Sequence, residues 1–367
     1  MKTSCVTRGI FEPEQSKVVT ATIEQRRLKE PVRANTIIIS RMNTPQLVGA
    51  NALVNLDYPN LFLPDRLWSA KVKETGDARW MAFVTGSNKF RAKLCSLATG
   101  TSNSMKNITK SDVLDIKIIA PQKPEQQKIA DFLTVIDNRI TAIERKLALL
   151  KSYKKGVMQQ IFTQAVQFKD ENGDPYPEWR EKRFGDVFDE VKRKVGEAQA
   201  ETYSITAGAG FVSQRSKFGK DISGSQNKNY TLLRENEFSY NKGNSKTYAY
   251  GCVYANKEGR DIAVPSVFIS FKLHDKGMST GFFEQLFISH YLDHYLRQII
   301  SSGARMDGLL NVSKSDFFTI KIPVPVPEEQ QKIATFLIAL DDKIKAEENL
   351  LTSAKAWKKG LLQKMFV

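Results

Sequence analysis

The sequence predicts an α+β protein made of a duplicated α/β domain and two long coiled-coil helices. Three observations predict it: an internal repeat, a heptad seam in each copy, and a weaker likeness between the segments that precede the copies. Residues 111–163 lie without a gap over residues 315–367, with roughly 25 of about 53 positions identical.

Each copy opens on a short β-like stretch, Ile116-Lys117-Ile118 or Ile320-Lys321-Ile322, that runs into a proline-bearing turn. Pro124 or Pro327 then stands where a helix starts, with Glu125, or Glu328 and Glu329, placed to meet the positive end of the helix dipole. A helix predicted over 126–162 carries Ile129, Leu133, Ile136, Ile140, Ile143, Leu147, Leu150, Val157 and Ile161 at alternating steps of four and three. Its repeat over 330–366 carries Ile333, Leu337, Leu340, Ile344, Leu351, Ala354, Leu361 and Met365. Lys154 and Lys358 interrupt the two seams at matching places, and Glu347 is a further polar insertion. A stripe this narrow left in water forfeits about 1.5–3 kcal/mol per side chain, so each helix needs a partner. The two copies are each other's obvious partner, antiparallel and with a pseudo-two-fold axis; a coiled coil between two chains is the alternative. The outward residues Arg139, Glu144 and Lys155 and their repeats are then left to meet another protein.

The segments ahead of the helices are also related. Asn107-Ile108-Thr109-Lys110-Ser111-Asp112 matches Asn311-Val312-Ser313-Lys314-Ser315-Asp316, and residues 34–54 resemble residues 235–255, with Asn35, Arg41 or Lys242, Asn43 or Asn244, and Gly49 or Gly251 in register. Both halves read as strand-rich α/β domains, the second with a helix near 282–300, whose cores agree and whose loops diverge.

At 367 residues, 41% of them hydrophobic, the chain has room for two or three packed domains. Its apolar runs stop short of a bilayer span and its first residues lack a signal-peptide core, which predicts a cytoplasmic protein with no membrane partner. Cys5, Cys95 and Cys252 lie far apart without Cys-x-x-Cys spacing, so neither a disulfide framework nor a zinc site is expected. Lys and Arg number 55 against 40 acids, a formal charge of +15, which favours a polyanion. The surplus falls in two regions, about +8 over residues 1–120 and about +5 over 202–325. Shared scaffolds with divergent loops are what two readers of different base sequences need. The turns Arg41-Met42-Asn43 and Lys242-Gly243-Asn244 carry suitable chemistry, since Arg and Lys pair with guanine edges and Asn with adenine. Lys89, Arg91, Lys106, Lys110, Lys246, Arg305 and Lys314 are candidates for further DNA contacts.

At these residues the chain resembles the specificity subunit of type I restriction-modification systems, over essentially its whole length. The most specific elements are the paired Glu-Gln-Gln-Lys-Ile-Ala-x-Phe-Leu stretches within 125–140 and 329–344, and the endings Lys154-Lys155-Gly156 and Lys358-Lys359-Gly360. Tyr176-Pro177-Glu178-Trp179-Arg180, running into Phe184-Gly185-Asp186-Val187-Phe188, looks like the entry of a target recognition domain. The resemblance implies a non-catalytic DNA-binding subunit with two target recognition domains, at 1–120 and 166–323, each reading half of a bipartite site in double-stranded DNA. The helical segments 121–165 and 324–367 would act as conserved spacers and as docking surface for two modification (methyltransferase) subunits, to which motor-nuclease restriction subunits can join. No cofactor is expected on this chain; S-adenosylmethionine would sit on the modification subunit, for adenine methylation. One departure stands out: about 35 residues that open the second domain, roughly 168–202, have no counterpart in the first, because Thr7-Arg8-Gly9-Ile10-Phe11 already aligns near Gly208-Ala209-Gly210-Phe211. The first domain is therefore expected to be short at its start.

Other chemistry is weakly represented. Asp174-Pro175-Tyr176 is one proline short of the motif with which an adenine methyltransferase holds its base, and reads as a turn. There is no G-x-x-x-x-G-K-[ST] loop for an NTP-driven motor. A stand-alone Mg²⁺-dependent endonuclease would have to use Asp65 with Asp115 and Lys117, but the repeat has Thr319 where Asp115 stands. His290 and His294 have the spacing of zinc ligands on one helix without the glutamate a zinc hydrolase uses. A coiled-coil bridging protein with no nucleic-acid role is the other alternative.

Overall fold

The computed structural model describes residues 1–100, 104–220, 223–243, 248–300 and 309–366. The chain forms two compact units, residues 1–146 with 347–367, and residues 147–346. Each long helix thus gives one end to each unit.

Unit 1 is organised by β1 (Thr36–Ser40), a short β2 (Met42–Asn43), β3 (Asn51–Val54) and β4 (Leu67–Lys71), with an antiparallel sheet of order β3-β1-β4. Every residue of β1 is buried, because both faces of the strand are covered. Ile37 and Ile39 pack with Trp80 and Val84 of α1 (Ala78–Gly86) and Phe90 and Leu94 of α2 (Asn88–Leu97), while Ile38 packs with Cys5, Val6, Val32 and Val54. That two-sided burial explains an unbroken apolar run where an exposed sheet would alternate. After β5 (Lys106–Asn107), the Thr109 and Asp112 side chains cap α3 (Lys110–Leu114), and α4 follows (Lys123–Phe162).

Unit 2 opens with β6 (Arg180–Arg183), α5 (Phe184–Val187) and β7 (Phe188–Glu190). Its sheet then takes β8 (Phe238–Asn241), β9 (Cys252–Ala255) and β10 (Ile269–Leu273). There follow α6 (Thr280–Ile288), α7 (Asp293–Ile299), α8 (Lys314–Thr319), β11 (Lys321–Val324) and α9 (Pro327–Met365). The sheet order β9-β8-β10-β7 is that of unit 1 with one strand added. Its core is aromatic: the ring of Phe184 lies 4.5 Å from Phe188 and 4.8 Å from Phe271 and Phe317.

The duplication shows in the details of each unit. Asn35 and Asn236 both adopt left-handed backbone, at φ 55° and 64°, and donate their N–H to Val54 and Asn256 carbonyls at 2.8 Å. Gln126 is buried and bridges two segments, its Oε1 accepting from the Asp77 N–H at 2.9 Å and its Nε2 donating to the Pro121 carbonyl at 2.8 Å. Gln330 makes the same bridge between the Ser279 N–H and the Pro325 carbonyl, at the same distances. Asp77 and Ser279 are the N-caps of α1 and α6, so in both units a glutamine of the long helix fixes the start of the domain's first long helix.

Within each unit the two long helices run antiparallel. In unit 1, Ile129, Leu133, Ile136 and Ile140 of α4 share a cluster with Leu351, Ala354, Leu361 and Leu362 of α9. In unit 2, Val157, Met158 and Ile161 belong to the cluster that holds Ile333, Leu337 and Leu340. Leu147 and Ile344 are half-buried. The lysines that interrupt the seams form reciprocal ion pairs: Lys154 Nζ bonds both oxygens of Asp341 at 2.6 Å, and Lys358 pairs with Asp137. Glu347 takes Lys146, and Glu144 is not free on the outer face but pairs with Lys355 at 2.6 Å.

Two expected elements differ. The helix near 282–300 breaks into α6 and α7, because His290 takes a left-handed backbone (φ 67°), stacks on Tyr248 at 4.6 Å and bonds Asp293 through Nδ1 at 3.1 Å. His290 and His294 therefore do not share one helix. The stretch Ile116-Lys117-Ile118 forms no strand, although its repeat does. β11 pairs with β6, and the residues that would match β6 have no counterpart in unit 1.

Two outcomes follow. Replacing Asp341 by Ala leaves the buried Lys154 ammonium without its carboxylate and should lower the stability of the protein by roughly 1–3 kcal/mol, while Lys154→Met with Asp341→Leu should recover only part of the loss in the same urea titration, because the buried Gln285 amide also donates to Asp341, at 2.9 Å. Burial raises the Glu329 carboxyl above its ordinary range, against the opposing pull of the Trp179 indole N–H at 2.9 Å. Protonation then favours the folded form, so the contribution of Glu329 is fully present at low pH and is lost as pH rises through the folded value. Thermal melts should show Glu329→Gln matching the wild type near pH 4 and exceeding it at pH 7.

Candidate nucleic-acid interface

In unit 1 the predicted residues converge on the connection between β1 and β3. Arg41 leaves the end of β1 and its guanidinium holds Asp65, through Nε to the backbone carbonyl at 2.7 Å and through Nη2 to the carboxylate at 2.5 Å. Asn43 lies on β2 with Lys106 as its register partner on β5. Its amide is engaged locally, accepting from the Thr44 N–H at 2.9 Å and donating to Ser40 Oγ at 3.2 Å. Arg91 reaches across from α2 to the carbonyls of Val48 at 2.8 Å and Gln46 at 3.2 Å, and burial lowers its pKa from the ordinary guanidinium value. Gly49 closes the same connection at φ 71°, where a Cβ would stand 2.8 Å from Leu94 Cδ1. Lys106 donates to the Gly100 carbonyl at 2.8 Å, and Lys110 Nζ stands 6.0 Å above the Trp68 ring.

Lys89 is placed differently. It is exposed beside Ser87 and Asn88 at the start of α2, lining a cavity of about 400 Å³ whose other wall is Lys355, Lys358 and Lys359 near the end of α9. Lys355 and Lys358 are anchored by Glu144 and Asp137. Sequence reasoning missed this grouping. The Lys-Lys-Gly ending was its only trace, and spacing along a helix does not reveal which loop a lysine will face.

Unit 2 repeats the connection. Lys242 leaves the end of β8 and donates through Nζ to the Val312 carbonyl at 2.7 Å, and Gly243 forms an antiparallel bridge with Leu309. Gly251, at φ 82°, ends the connection where a Cβ would lie 2.4 Å from the Asn241 carbonyl. Lys314 sits on α8 and pairs with Glu190 at 2.5 Å. The predicted Asn244, Lys246 and Arg305 lie outside the described residues.

The residues of the alternative chemistries are otherwise engaged. Asp65 is held by Arg41, Asp115 closes α3, and Asp174-Pro175 lies in a turn tied to Asp170 by the Asp170 N–H to Asp174 carbonyl bond at 2.8 Å. Among the described residues no group of three or more His, Cys, Asp or Glu is arranged to hold a metal ion. No helix among them is long and apolar enough to cross a membrane.

In both units the connection after the central strand pairs with the segment ahead of the repeat, Asn43 with Lys106 and Gly243 with Leu309. The model of the type I restriction modification DNA specificity domain matches this chain twice, over residues 22–152 and 176–356. The chain belongs to this specificity-domain family. It is 24% identical over 280 residues to a protein of Methanocaldococcus jannaschii described as the MjaX type I restriction enzyme specificity subunit, a match that covers 70% of this chain and 60% of that protein. The crystal structure of the type I restriction-modification system S subunit from M. genitalium shares the fold, with a TM-score of 0.59 and 18% identity over 92% of this chain and 84% of that one. The family's two matches each end on a long helix, one reaching 152 within α4 and the other 356 within α9.

Arg91→Ala should release the Gln46 and Val48 carbonyls and lower the stability of unit 1 by about 1–3 kcal/mol. Amide hydrogen exchange should quicken in residues 46–50, while residues 238–256 should be unaffected.

Proposed function

We propose that this chain is the DNA sequence-recognition subunit of a type I restriction-modification complex. The observation that carries the proposal is the twofold occurrence of the specificity domain, each copy presenting the same pinned connection with a different set of basic and amide side chains. The reading domains are residues 1–120 and 166–323, each contacting one half of a bipartite site in double-stranded DNA. Asn43 and Lys106, paired across β2 and β5, are the first-domain residues offered for base contact; Lys242, with Asn244 and Lys246, serves the second. Lys89, Lys110, Lys314 and Arg305 supply phosphate contacts. Arg41 and Arg91 act through the loop they brace, positioning it rather than reading bases.

The chain itself neither methylates nor cuts. Segments 121–165 and 324–367 dock two modification subunits, whose S-adenosylmethionine supplies the methyl group for adenine, and motor-nuclease restriction subunits join the same assembly. Arg139, Lys155 and their repeats on the exposed helix faces are the proposed contacts. The protein acts in the cytoplasm.

The test is to express the chain with a cognate modification subunit and map methylated adenines across the genome. A split sequence motif modified in both halves is expected, and exchanging residues 1–110 for those of another family member should change one half only. Simultaneous change of both halves, or methyl transfer by the rigorously purified chain, would refute the proposal.

A further inference from the structure

Each unit braces the far end of its central connection, and the two braces differ in chemistry. In unit 1, Arg91 of α2 donates to the carbonyls of Gln46 and Val48, just ahead of Gly49. Counted back from Gly251, the residues at the same places in unit 2 are Tyr248 and Tyr250. The Tyr250 carbonyl accepts from the Tyr240 hydroxyl at 2.7 Å, which ties it to β8. Tyr248 is buried, and its ring stacks on that of His290 with centroids 4.6 Å apart and planes inclined by 25°. Its carbonyl accepts the Gly251 N–H at 3.3 Å, at the turn into β9.

His290 is itself held in place. Its backbone is left-handed at φ 67°, a conformation that Gly or Asn takes up more readily, so the surroundings must hold a histidine there. Nδ1 stands 3.1 Å from the Asp293 carboxylate, which fixes the plane of the ring. Counted from the N-caps of α1 and α6, Asp293 stands where unit 1 has Arg91. The residue that braces the connection directly in unit 1 thus acts in unit 2 through the histidine beside it.

We propose that His290 is the positioning residue of the second domain's reading connection, with the role that Arg91 has in the first. It acts through Tyr248 and fixes the exit of the 242–251 connection, as the bond from Lys242 to the Val312 carbonyl fixes its entry. Asn244 and Lys246 fall between these anchors in the sequence. A brace on carbonyls is indifferent to the side chains of the loop, whereas a stack requires an aromatic ring at position 248. The inference rests on the DNA-reading role of this connection.

His290→Asn keeps a residue that accepts the left-handed backbone and removes the ring. In the free full-length chain it should quicken amide exchange at residues 248–251 by about tenfold, leaving residues 46–50 unchanged. Tyr248→Leu should do the same, Tyr248→Phe should stay close to the wild type, and the double variant His290→Asn with Tyr248→Leu should be no worse than either single change. With the cognate modification subunit, His290→Asn and Tyr248→Leu should each lower discrimination against altered second half-sites by about tenfold, with the first half-site read as before. A merely structural role would instead lower modification at all sites together. Unchanged exchange at 248–251 would overturn the proposal. So would quickened exchange with second-half discrimination intact, or equal loss at both halves. If the wild type modified no split site, the recognition role would fall, and hydrogen exchange would still decide whether His290 holds the connection.

Discussion

The structure depends on how two duplicated amphipathic helices settle their direction. Apolar seams alone do not decide between parallel and antiparallel packing, since Leu and Ile meet equally well either way. The polar insertions decide. In a parallel pairing of the two repeats, Lys154 would face Lys358 and Asp137 would face Asp341, setting like charges against each other on both levels. Antiparallel packing turns the same four residues into two ion pairs, Lys154 with Asp341 in one unit and Lys358 with Asp137 in the other. A charge inside a seam costs stability relative to a hydrophobe, and what it provides is a single register and direction.

The same helices also fix the domains. Gln126 and Gln330 each satisfy a backbone N–H at an N-cap and a carbonyl in the preceding turn, so removing either would orphan two partly or wholly buried groups. The tie holds α1 or α6 at a set place against the long helix, and the sheet packs on the other side of that short helix. The connections after the central strands are tied separately, Arg41 and Arg91 bracing one loop and Lys242 tying the other to Val312.

The two units are unequal in what closes their sheets. Phe184 and its neighbours give unit 2 an aromatic core sealed by a fourth strand, whereas unit 1 presents the bare edge of β4 and the unpaired stretch after α3. Among residues 1–35 nothing matches residues 179–190. The backbone of residues 116–120 is apolar and β-prone in both sequence and position; without a partner strand to take its N–H and C=O groups, it stays irregular.

The sequence by itself determined the repeat, the helix limits to within a few residues, the α+β class and the family, because periodicity and duplication are one-dimensional properties. It also marked Lys154 and Lys358 as interruptions, though not their partners: a lysine on a seam is a defect until the facing helix supplies Asp341 or Asp137. Only the tertiary structure decided which side chains are occupied. Arg41 and Arg91 carry the charge expected of a DNA surface, yet their guanidinium groups are turned to Asp65 and to the carbonyls of residues 46 and 48. Only the tertiary structure broke the helix at His290, through stacking on a tyrosine 42 positions away, and drew Lys89 to the cavity lysines of α9. The physical reason is common to all of these. Helical and strand periodicity act between near neighbours, whereas the partner of a charged group, or the strand that completes a sheet, is set by contacts between residues far apart in the chain.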